Sequence, residues 1–578
     1  DTPTLLSVLD FTATPMGSRM MKQWLQHPLL SRKQIEYRQK CVEELLGHKN
    51  ERNKLHKLLQ SIFDMERLLG KIVTGRANGR DVINLKNSLA ILTPIKQLLT
   101  AKPFTILAKT ANEINILDGL KKEIENAIVE APPNSIQDGG LIKPGFSKEL
   151  DDLRDIADHG KDWIVNYQQR ERASTGISSL KISYNKVFGY YIEVSKGHIH
   201  LVPEHYERKQ TLVNAERYIT PELKEYEEKV LSAEEQIQVL ERELFEELQK
   251  RVMTRARDIQ ANARILAAVD IACALAEVAQ RNDYTRPVLV DEPVLSLTDS
   301  RHPVVETLLP LGERFTPNDL EMDPETSQIH IITGPNMSGK STFLRQVGLI
   351  VVLAQLGSFV PARAARIGMV DQVFTRVGAS DNLAGGESTF LVEMVETAKI
   401  LNNATARSLV LLDEIGRGTS TYDGLSIAWA VTEYMHQNPQ VAGKTLFATH
   451  YHELVALADT LPRVKNFNVA VREHGQDVVF LRKIVPGGAD KSYGIHVAQM
   501  AGLPPQVIRR AGAVLASLTS QDKGIATIEV GHEPDLQVDL FAAREQRLRE
   551  DFEQIETDNL TPIEALNLLD KLKKKHGL

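Results

Sequence analysis

The fold is decided by residues 329–342, which read IHIITGPNMSGKST. An apolar, β-branched run up to Thr333 is followed by a glycine-rich loop that matches the pattern G-x-x-x-x-G-K-[ST], and then by a helical segment. In such a loop, backbone N–H groups close around phosphate oxygens, and the start of the helix adds partial positive charge. The stretch therefore predicts a strand, a phosphate-binding loop and a helix, within an α/β domain of the P-loop, ABC-type ATPase class.

The same loop predicts which residues bind ATP or ADP. Lys340 would place a positive charge on the β- and γ-phosphates, and the hydroxyl of Ser341 would bind Mg²⁺. We therefore expect ATP or ADP and Mg²⁺ as cofactors. The nucleotide-binding residues predicted from the loop are Gly334, Pro335, Asn336, Met337, Ser338, Gly339, Lys340, Ser341 and Thr342.

Two carboxylates follow a second apolar run, SLVLL at residues 408–412. A buried parallel strand presents such groups to its ligand at its carboxyl end. Asp413 is expected to hold Mg²⁺ together with Ser341, and Glu414 to orient or deprotonate the attacking water. A strand that ends in Asp-Glu could also be a plain helix cap, but its position downstream of a phosphate loop favours catalysis.

A third strand is predicted at residues 445–449, TLFAT, and it leads into His450. This histidine could contact the γ-phosphate or the attacking water, so the predicted catalytic residues are Lys340, Glu414 and His450. His452 and Glu453 would complete a metal-binding group only with H-E-x-x-H spacing, which is absent.

A glycine-rich turn, LAGGESTF at residues 383–390, precedes another predicted helix. Its N-terminus is a second potential phosphate site, because a serine caps it and backbone N–H groups point outward. One γ-phosphate cannot readily use two such loops of one subunit, so we expect Ser388 to contact the ATP of a partner subunit. The alternative is an ordinary capped helix.

The rest of the chain is predicted to be mainly helical, with one small β-rich region. Apolar residues at three- and four-residue spacing indicate helices, and alternating aromatic and β-branched residues indicate strands. Between Pro221 and Pro287 there is neither glycine nor proline, which predicts one long helix or two with a bend; a plain helical bundle is the alternative to a lever. The predicted segments are a helical core at 1–135, a lever helix at 136–176, a β-rich clamp at 177–215, returning helices at 216–287, the ATPase and dimerisation domain at 288–518, and a linker with a helical tail at 519–578.

The composition is that of a multidomain globular protein. The chain has 578 residues, 42% hydrophobic and 25% charged, and a formal charge of −7, which leaves DNA binding undecided. No apolar run approaches the roughly 18 residues of a membrane span, so no membrane role is expected. Two distant cysteines, Cys41 and Cys273, and no leader ahead of the fold suggest a reducing cytoplasm.

Taken together, the motifs resemble those of the MutS family. The resemblance covers most of the chain and rests on these stretches: TGPNM at 333–337 with GKS at 339–341, STF at 388–390 with EM at 393–394, DEIGRGTST at 413–421, ATHY at 448–451, PMGSR at 15–19, YNK at 184–186 and NAERY at 214–218. The resemblance implies a dimeric, DNA-stimulated ATPase clamp for DNA mismatch repair that signals to downstream repair factors, in bacteria near the nucleoid. It also implies that Asn336 assists the phosphate site, that Ser388 reaches the partner's nucleotide, and that Phe315 and His496 flank the adenine.

The family's mismatch-reading and connector domains would precede residue 1 and are not in this sequence, so a truncated form is expected. The related MutS2 group lacks those domains too, but its nuclease tail has no counterpart in 519–578. The phosphate loop would also fit an ABC-type transporter subunit, a chromosome ATPase, or a nucleotide-gated scaffold without turnover. Glu414 argues against the scaffold.

The β-rich clamp, residues 177–215, is predicted to contact the sugar-phosphate backbone of double-stranded DNA. Basic residues with two tyrosines, Tyr190 and Tyr191, suit phosphate contact without base reading. The alternative is a solvated β-surface. The predicted DNA-binding residues are Lys181, Lys186, Lys196, Arg208 and Lys209.

Overall fold

The computed structural model describes residues 3–185, 189–310, 312–335, 338–376, 389–474, 477–488 and 493–520. The chain divides into two compact units, Asp1–Met500 and Ala501–Leu578, and the described part of the second is 501–520. The helix that begins at Pro505 continues to Ser520, two residues past the predicted boundary at residue 518, and that boundary stays a prediction.

The described helices are α1 Leu5–Leu9, α2 Pro15–Gln26, α3 Arg32–Gly47, α4 Lys49–Gln60, α5 Met65–Val73, α6 Gly79–Thr100, α7 Ile106–Asn112, α8 Asp118–Ala127, α9 Lys148–Thr175, α10 Pro221–Thr254, α11 Ala256–Arg281, α12 Lys340–Leu356, α13 Thr389–Asn403, α14 Thr421–Gln437, α15 Leu457–Thr460, α16 Gly494–Met500 and α17 Pro505–Ser520. The strands are β1 Lys181–Asn185, β2 Gly189–Ser195, β3 Glu207–Thr211, β4 Ala215–Ile219, β5 Val288–Val290, β6 Leu295–Ser300, β7 Asn318–Met322, β8 Ile329–Thr333, β9 Ala364–Gly368, β10 Val373–Arg376, β11 Leu409–Asp413, β12 Lys444–Ala448, β13 Val464–His474 and β14 Asp477–Pro486.

Residues 5–127 form eight helices, as the periodicity of the first 120 residues predicts; α1 to α5 and α7 pack against α11, and α6 packs against α4, α5, α7 and α8. By length and apolar composition alone α11 could cross a membrane, but 72% of its apolar window is buried in the protein. Its small side chains let neighbouring helices approach closely. The apolar character of α11 therefore reflects its place at the centre of the helical core.

Two long helices, α9 and α10, pack against each other and lead to the small sheet. Arg154 of α9 contacts the fully buried Glu241 of α10 at 2.5 Å. With 34 residues, α10 is about 50 Å long. The helical path breaks at Arg255, so the segment between Pro221 and Pro287 is two helices, the second of the predicted alternatives.

The small sheet has four antiparallel strands in the order β1-β2-β4-β3. One face packs on the start of α10 and the end of α9 through an aromatic cluster that includes Tyr167, Tyr206 and Tyr218. Strand β4 continues to Ile219, so the β-rich region ends there and not at residue 215 as predicted.

The C-terminal half of the first unit is built on a six-stranded sheet in the order β10-β11-β12-β8-β13-β14. All neighbouring strands run parallel except the last pair, β13 and β14. Strands β8, β11 and β12 are buried along their whole length, which explains their continuous apolar sequence. A second sheet has the strand order β5-β9-β6-β7. Strands β5, β6 and β7 precede helix α12 in the sequence, and β9 follows it.

Candidate nucleotide-binding and catalytic site

The loop between β8 and α12 has the backbone form of a phosphate cradle. Gly334 and Gly339 have φ angles of +144° and +105°, which residues with a Cβ rarely adopt. A Cβ on Gly334 would also lie 3.3 Å from Val469. The two glycines of the motif are therefore required by the turn itself.

Lys340 turns back onto this loop. Its Nζ donates to the carbonyls of Gly334 at 2.5 Å and Pro335 at 3.0 Å, and the residue is 4% exposed. Burial lowers the pKa of Lys340, although the charges of Glu414 and Asp413 oppose the shift. The Nζ group donates to backbone carbonyls of the loop, so it lies where a phosphate bound by the loop would be within reach of its N–H groups.

Asp413 ends β11 and lies beside the first turn of α12. Burial raises the pKa of Asp413, and a hydrogen bond with Ser341 partly offsets that shift. Among the described residues, Asp413 Oδ1 and the buried Ser338 Oγ have no hydrogen-bond partner. Oxygen atoms with free lone pairs next to a phosphate loop fit a magnesium nucleotide, because Mg²⁺ takes one or two protein oxygens and completes its shell with phosphates and water.

Glu414 is held in an unusual backbone conformation with two basic partners. Its φ is +58°, and its N–H donates to Ala448 at 2.9 Å. The carboxylate forms an ion pair with Arg417 and lies 3.2 Å from His450 Nδ1. Burial acts to raise the pKa of Glu414, but the hydrogen bond with His450 and the charges of Arg417 and Lys340 outweigh it, and the pKa is lowered. Glu414 is therefore a carboxylate at neutral pH, as a base or water-orienting group must be.

His450 and Arg417 also contact each other. Arg417 Nε donates to His450 Nε2 at 3.1 Å, which leaves the Nδ1 hydrogen of a neutral imidazole to face Glu414. Arg417 was part of a motif in the sequence, but no role was predicted for it. The signal available in the sequence was the position of Arg417, three residues after Glu414 and just beyond the end of a strand.

The loop that follows Glu414 is anchored from behind. The Gly416 N–H donates to Glu393 of α13, and Gly416 accepts a hydrogen bond from the Tyr451 hydroxyl at 3.0 Å. Glu393 in turn lies 3.6 Å from the buried Arg376 at the end of β10. Gly416 has φ +91°, and a Cβ there would come within 2.6 Å of the Gly424 backbone.

A cavity of about 350 Å³ opens beside the loop. Its walls include Lys340, Ser341, Glu414 and the predicted adenine contact Phe315, whereas His496 is not among the described lining residues. Arg482 and Asn318 also line the cavity, and no sequence motif predicts that they belong to it. The Asn318 side chain bonds both the carbonyl of Arg482, at 3.0 Å, and the N–H of Ile484, at 2.7 Å, so the tertiary fold alone brings them to the cavity.

Four predicted site residues lie outside the described residues: Asn336, Met337, Ser388 and Lys186. Within the described ranges, no group of three or more His, Cys, Asp or Glu side chains is arranged to hold a metal ion, and this includes His450, His452 and Glu453.

The basic residues predicted to bind DNA are on the small sheet and the segment after β2. Lys181 and Lys196 are exposed. Arg208 lies 3.6 Å from Glu216, and Lys209 lies 3.5 Å from Glu207. The four described basic residues are therefore accessible, but two of them already face carboxylates.

Two domain models of one family match the chain over most of its length. Residues 1–276 match MutS domain III, and residues 330–519 match MutS domain V. Proteins named DNA mismatch repair protein MutS are 50% identical to it in Salinibacter ruber and Symbiobacterium thermophilum, and 48% identical in Methanosarcina mazei. These alignments cover 99%, 99% and 100% of this chain and 67%, 66% and 67% of the relatives, so the chain spans about two thirds of their length.

Proposed function

This chain belongs to the MutS family of DNA mismatch repair proteins, and we propose that it hydrolyses ATP to ADP and phosphate at the loop of Lys340, with Mg²⁺ and with stimulation by DNA. One observation carries the proposal. Lys340, Asp413 and Glu414 meet at the carboxyl edge of a parallel sheet, where their charges shift one another's pKa values. Coupled, buried charges in a cleft are typical of catalytic sites.

Each group has a defined task in this proposal. Lys340 releases the loop carbonyls and binds the β- and γ-phosphates, while Ser341 and Asp413 hold Mg²⁺. Bound there, Mg²⁺ would supply positive charge that offsets the charge of the phosphates. Glu414 orients the attacking water, and His450 and Arg417 fix the carboxylate between them. Phe315 contacts the adenine from the cavity wall.

The active form is proposed to be a homodimer in which Ser388 of each subunit contacts the nucleotide of the other. The small sheet would contact double-stranded DNA, and α9 and α10 would connect it to the helical core. ATP binding would thereby change the affinity of the small sheet for DNA and the signal to downstream repair factors. The proposed location is the cytoplasm, at the bacterial nucleoid.

The test separates binding from hydrolysis. We expect Lys340→Ala to weaken ATP binding by about 100-fold, because a buried cation that pairs with phosphate is removed. Glu414→Ala should keep ATP affinity within about threefold and lower kcat by about 100-fold or more, because only the attack of water is affected. Equilibrium ATP binding and single-turnover hydrolysis, each with and without duplex DNA, measure both effects.

Glu453→Ala is the matched control, because this exposed carboxylate lies three residues after His450. It should leave both quantities unchanged. Equal loss of ATP affinity in the Lys340 and Glu414 variants would contradict the division of roles, and hydrolysis that persists in Glu414→Ala would remove the proposed water-orienting group.

A further inference from the structure

A second cavity, of about 380 Å³, lies in the helical core and shares no lining residue with the nucleotide cavity. The segment between α1 and α2 forms one wall, and one face each of α4 and α11 forms the others. None of its residues has a role in the proposed ATPase. The lining residues are Phe11, Thr12, Arg52, Asn53, His56, Cys273, Glu277 and Arg281.

The side chain of Arg52 is the central feature of this cavity. It is 2% exposed, and it donates from Nη2 to Glu277 at 2.8 Å and to Gln280 at 2.5 Å, and from Nη1 to the carbonyl of Leu45 at 3.3 Å. Its Nε has no acceptor among the described residues. A buried guanidinium N–H without an acceptor is rare in folded proteins, and it points to a bound group in the adjoining space.

The cavity walls carry an excess of positive charge. Among the lining residues, Arg52 and Arg281 share one carboxylate, Glu277, whose Oε2 accepts from Arg52 and whose Oε1 accepts from Arg281 at 2.6 Å. Burial acts to raise the pKa of Glu277, but the hydrogen bond from Arg281 and the charge of Arg52 lower it overall. Glu277 is therefore ionised and neutralises only one of the two guanidinium groups.

The orientation of Arg281 is fixed by an aromatic ring. Its guanidinium carbon lies over the Phe11 ring, 4.4 Å from the ring centre, and its Nε donates to Glu277, so these two contacts hold the guanidinium beside the cavity. Asn53, His56 and Thr12 add polar atoms to the same cavity. The paired N–H groups of an arginine guanidinium match the spacing of the oxygen atoms in carboxylates and phosphates.

We propose that this cavity is a binding site for a small oxyanion, a free phosphate or carboxylate compound, held between Arg52 and Arg281. Its volume falls within the range of small-molecule sites. The head of Arg52 is enclosed, which favours a small free anion over the phosphates of a DNA duplex. A bound oxyanion joins the segment that carries Phe11 to α4 and α11 and so stabilises the helical core.

The site is tested directly by crystallography with selenate as the probe. Crystals of the full chain soaked in selenate are expected to show an anomalous peak within hydrogen-bond distance of the Arg52 guanidinium. A cavity that holds only water under these conditions overturns the proposal. In solution, calorimetry with inorganic phosphate and with malonate, on chain saturated with ADP and Mg²⁺ so that the nucleotide loop is filled, measures the affinity. Binding of either anion supports the site, and binding of neither overturns it.

Arg281→Gln and Arg251→Gln form a matched pair of variants. Both arginines lie near the end of a helix and bind a glutamate four residues earlier, at 2.6 Å and 2.8 Å, and their side chains are 55% and 48% exposed. Only Arg281 lines the cavity. We expect Arg281→Gln to weaken oxyanion binding about tenfold and Arg251→Gln to change it less than twofold. Equal effects in the two variants would show that the anion binds elsewhere.

Discussion

Charged residues cluster both at the nucleotide edge, the edge of the six-stranded sheet beside Lys340, Asp413 and Glu414, and on the small sheet β1-β2-β4-β3. They are buried in the first region and exposed in the second. At the nucleotide edge the charges are enclosed: Lys340 and Asp413 are 4% and 7% exposed and are placed by backbone and buried partners. On the small sheet the side chain of Arg208 is 63% exposed and its partner is 3.6 Å away. Enclosed charges require fixed geometry, whereas exposed ion pairs contribute about 0–1 kcal/mol and can exchange partners. The first region suits chemistry at one point, and the second suits contact with a long polyanion.

The largest effect expected at the nucleotide edge concerns Ser388. If Ser388 contacts the partner's ATP, homodimers of Ser388→Ala and of Lys340→Ala should both lose at least about 100-fold in ATPase activity. A mixed dimer of the two variants places both lesions in one composite site and leaves the other intact. Its activity should be about half that of the unmodified dimer if the two sites act independently. Steady-state ATPase of tagged, purified heterodimers measures this.

The heterodimer must first be shown to form, for example by copurification on two different tags. A mixed dimer as inactive as its parents would mean either that Ser388 serves its own subunit or that the two sites act only together.

A second prediction compares the tolerance of the two regions to one added carbon atom. In Gly416→Ala the Cβ would meet backbone at 2.6 Å, and φ is +91°, so we expect a loss of about 3 kcal/mol in unfolding free energy and of catalysis. Gly197, beside the small sheet, has no heavy atom within 4 Å of such a carbon, and Gly197→Ala should stay within about 0.5 kcal/mol. Urea unfolding monitored for both variants decides the point; equal stability would mean that the loop after β11 is not tightly enclosed.

The sequence predicts more of the enclosed nucleotide site than of the exposed small sheet, and the reason is again the difference in burial. The strand before the P-loop, Ile329–Thr333, and the one ending at Asp413 were predicted within one residue at each end, because a buried parallel strand has an uninterrupted apolar sequence. The phosphate loop was recognisable because glycine alone adopts its backbone angles. The ion pairs of the small sheet were not predictable, since they depend on strand register, including the irregularity between Arg208 and Gln210. Arg482 was missed because a distant hairpin brings it to the cavity.

A third prediction tests the small sheet as a DNA-binding surface. Replacing its four described basic residues with glutamine should weaken duplex binding about tenfold or more for every sequence and flatten the dependence on salt, because fewer counterions are released. The combined variant is Lys181→Gln, Lys196→Gln, Arg208→Gln and Lys209→Gln. Fluorescence anisotropy from low to high salt measures both quantities.

The control removes the same amount of positive charge from the helical core. Four exposed lysines of α3 and α4 serve for this: Lys33, Lys40, Lys54 and Lys57. If that control weakens DNA binding as much as the sheet variant does, the effect comes from net charge and the small sheet is an ordinary solvated surface.

The smallest predicted effect concerns the carboxylates that face the basic residues of the sheet. Glu207 lies 3.5 Å from Lys209, and both side chains are largely exposed. Glu207→Gln should therefore raise DNA affinity about twofold, because Lys209 no longer has to leave a partner worth about 0.5 kcal/mol before it binds phosphate. Loss of a nearby negative charge would also raise affinity without involving Lys209, and a double-mutant cycle with Lys209→Gln separates the two causes. If the gain disappears in the Lys209→Gln background, the ion pair competes with DNA phosphate for the lysine; if it persists, only general repulsion is relieved. Glu247→Gln, which breaks a comparable exposed pair with Arg251 far along α10, should leave DNA affinity unchanged.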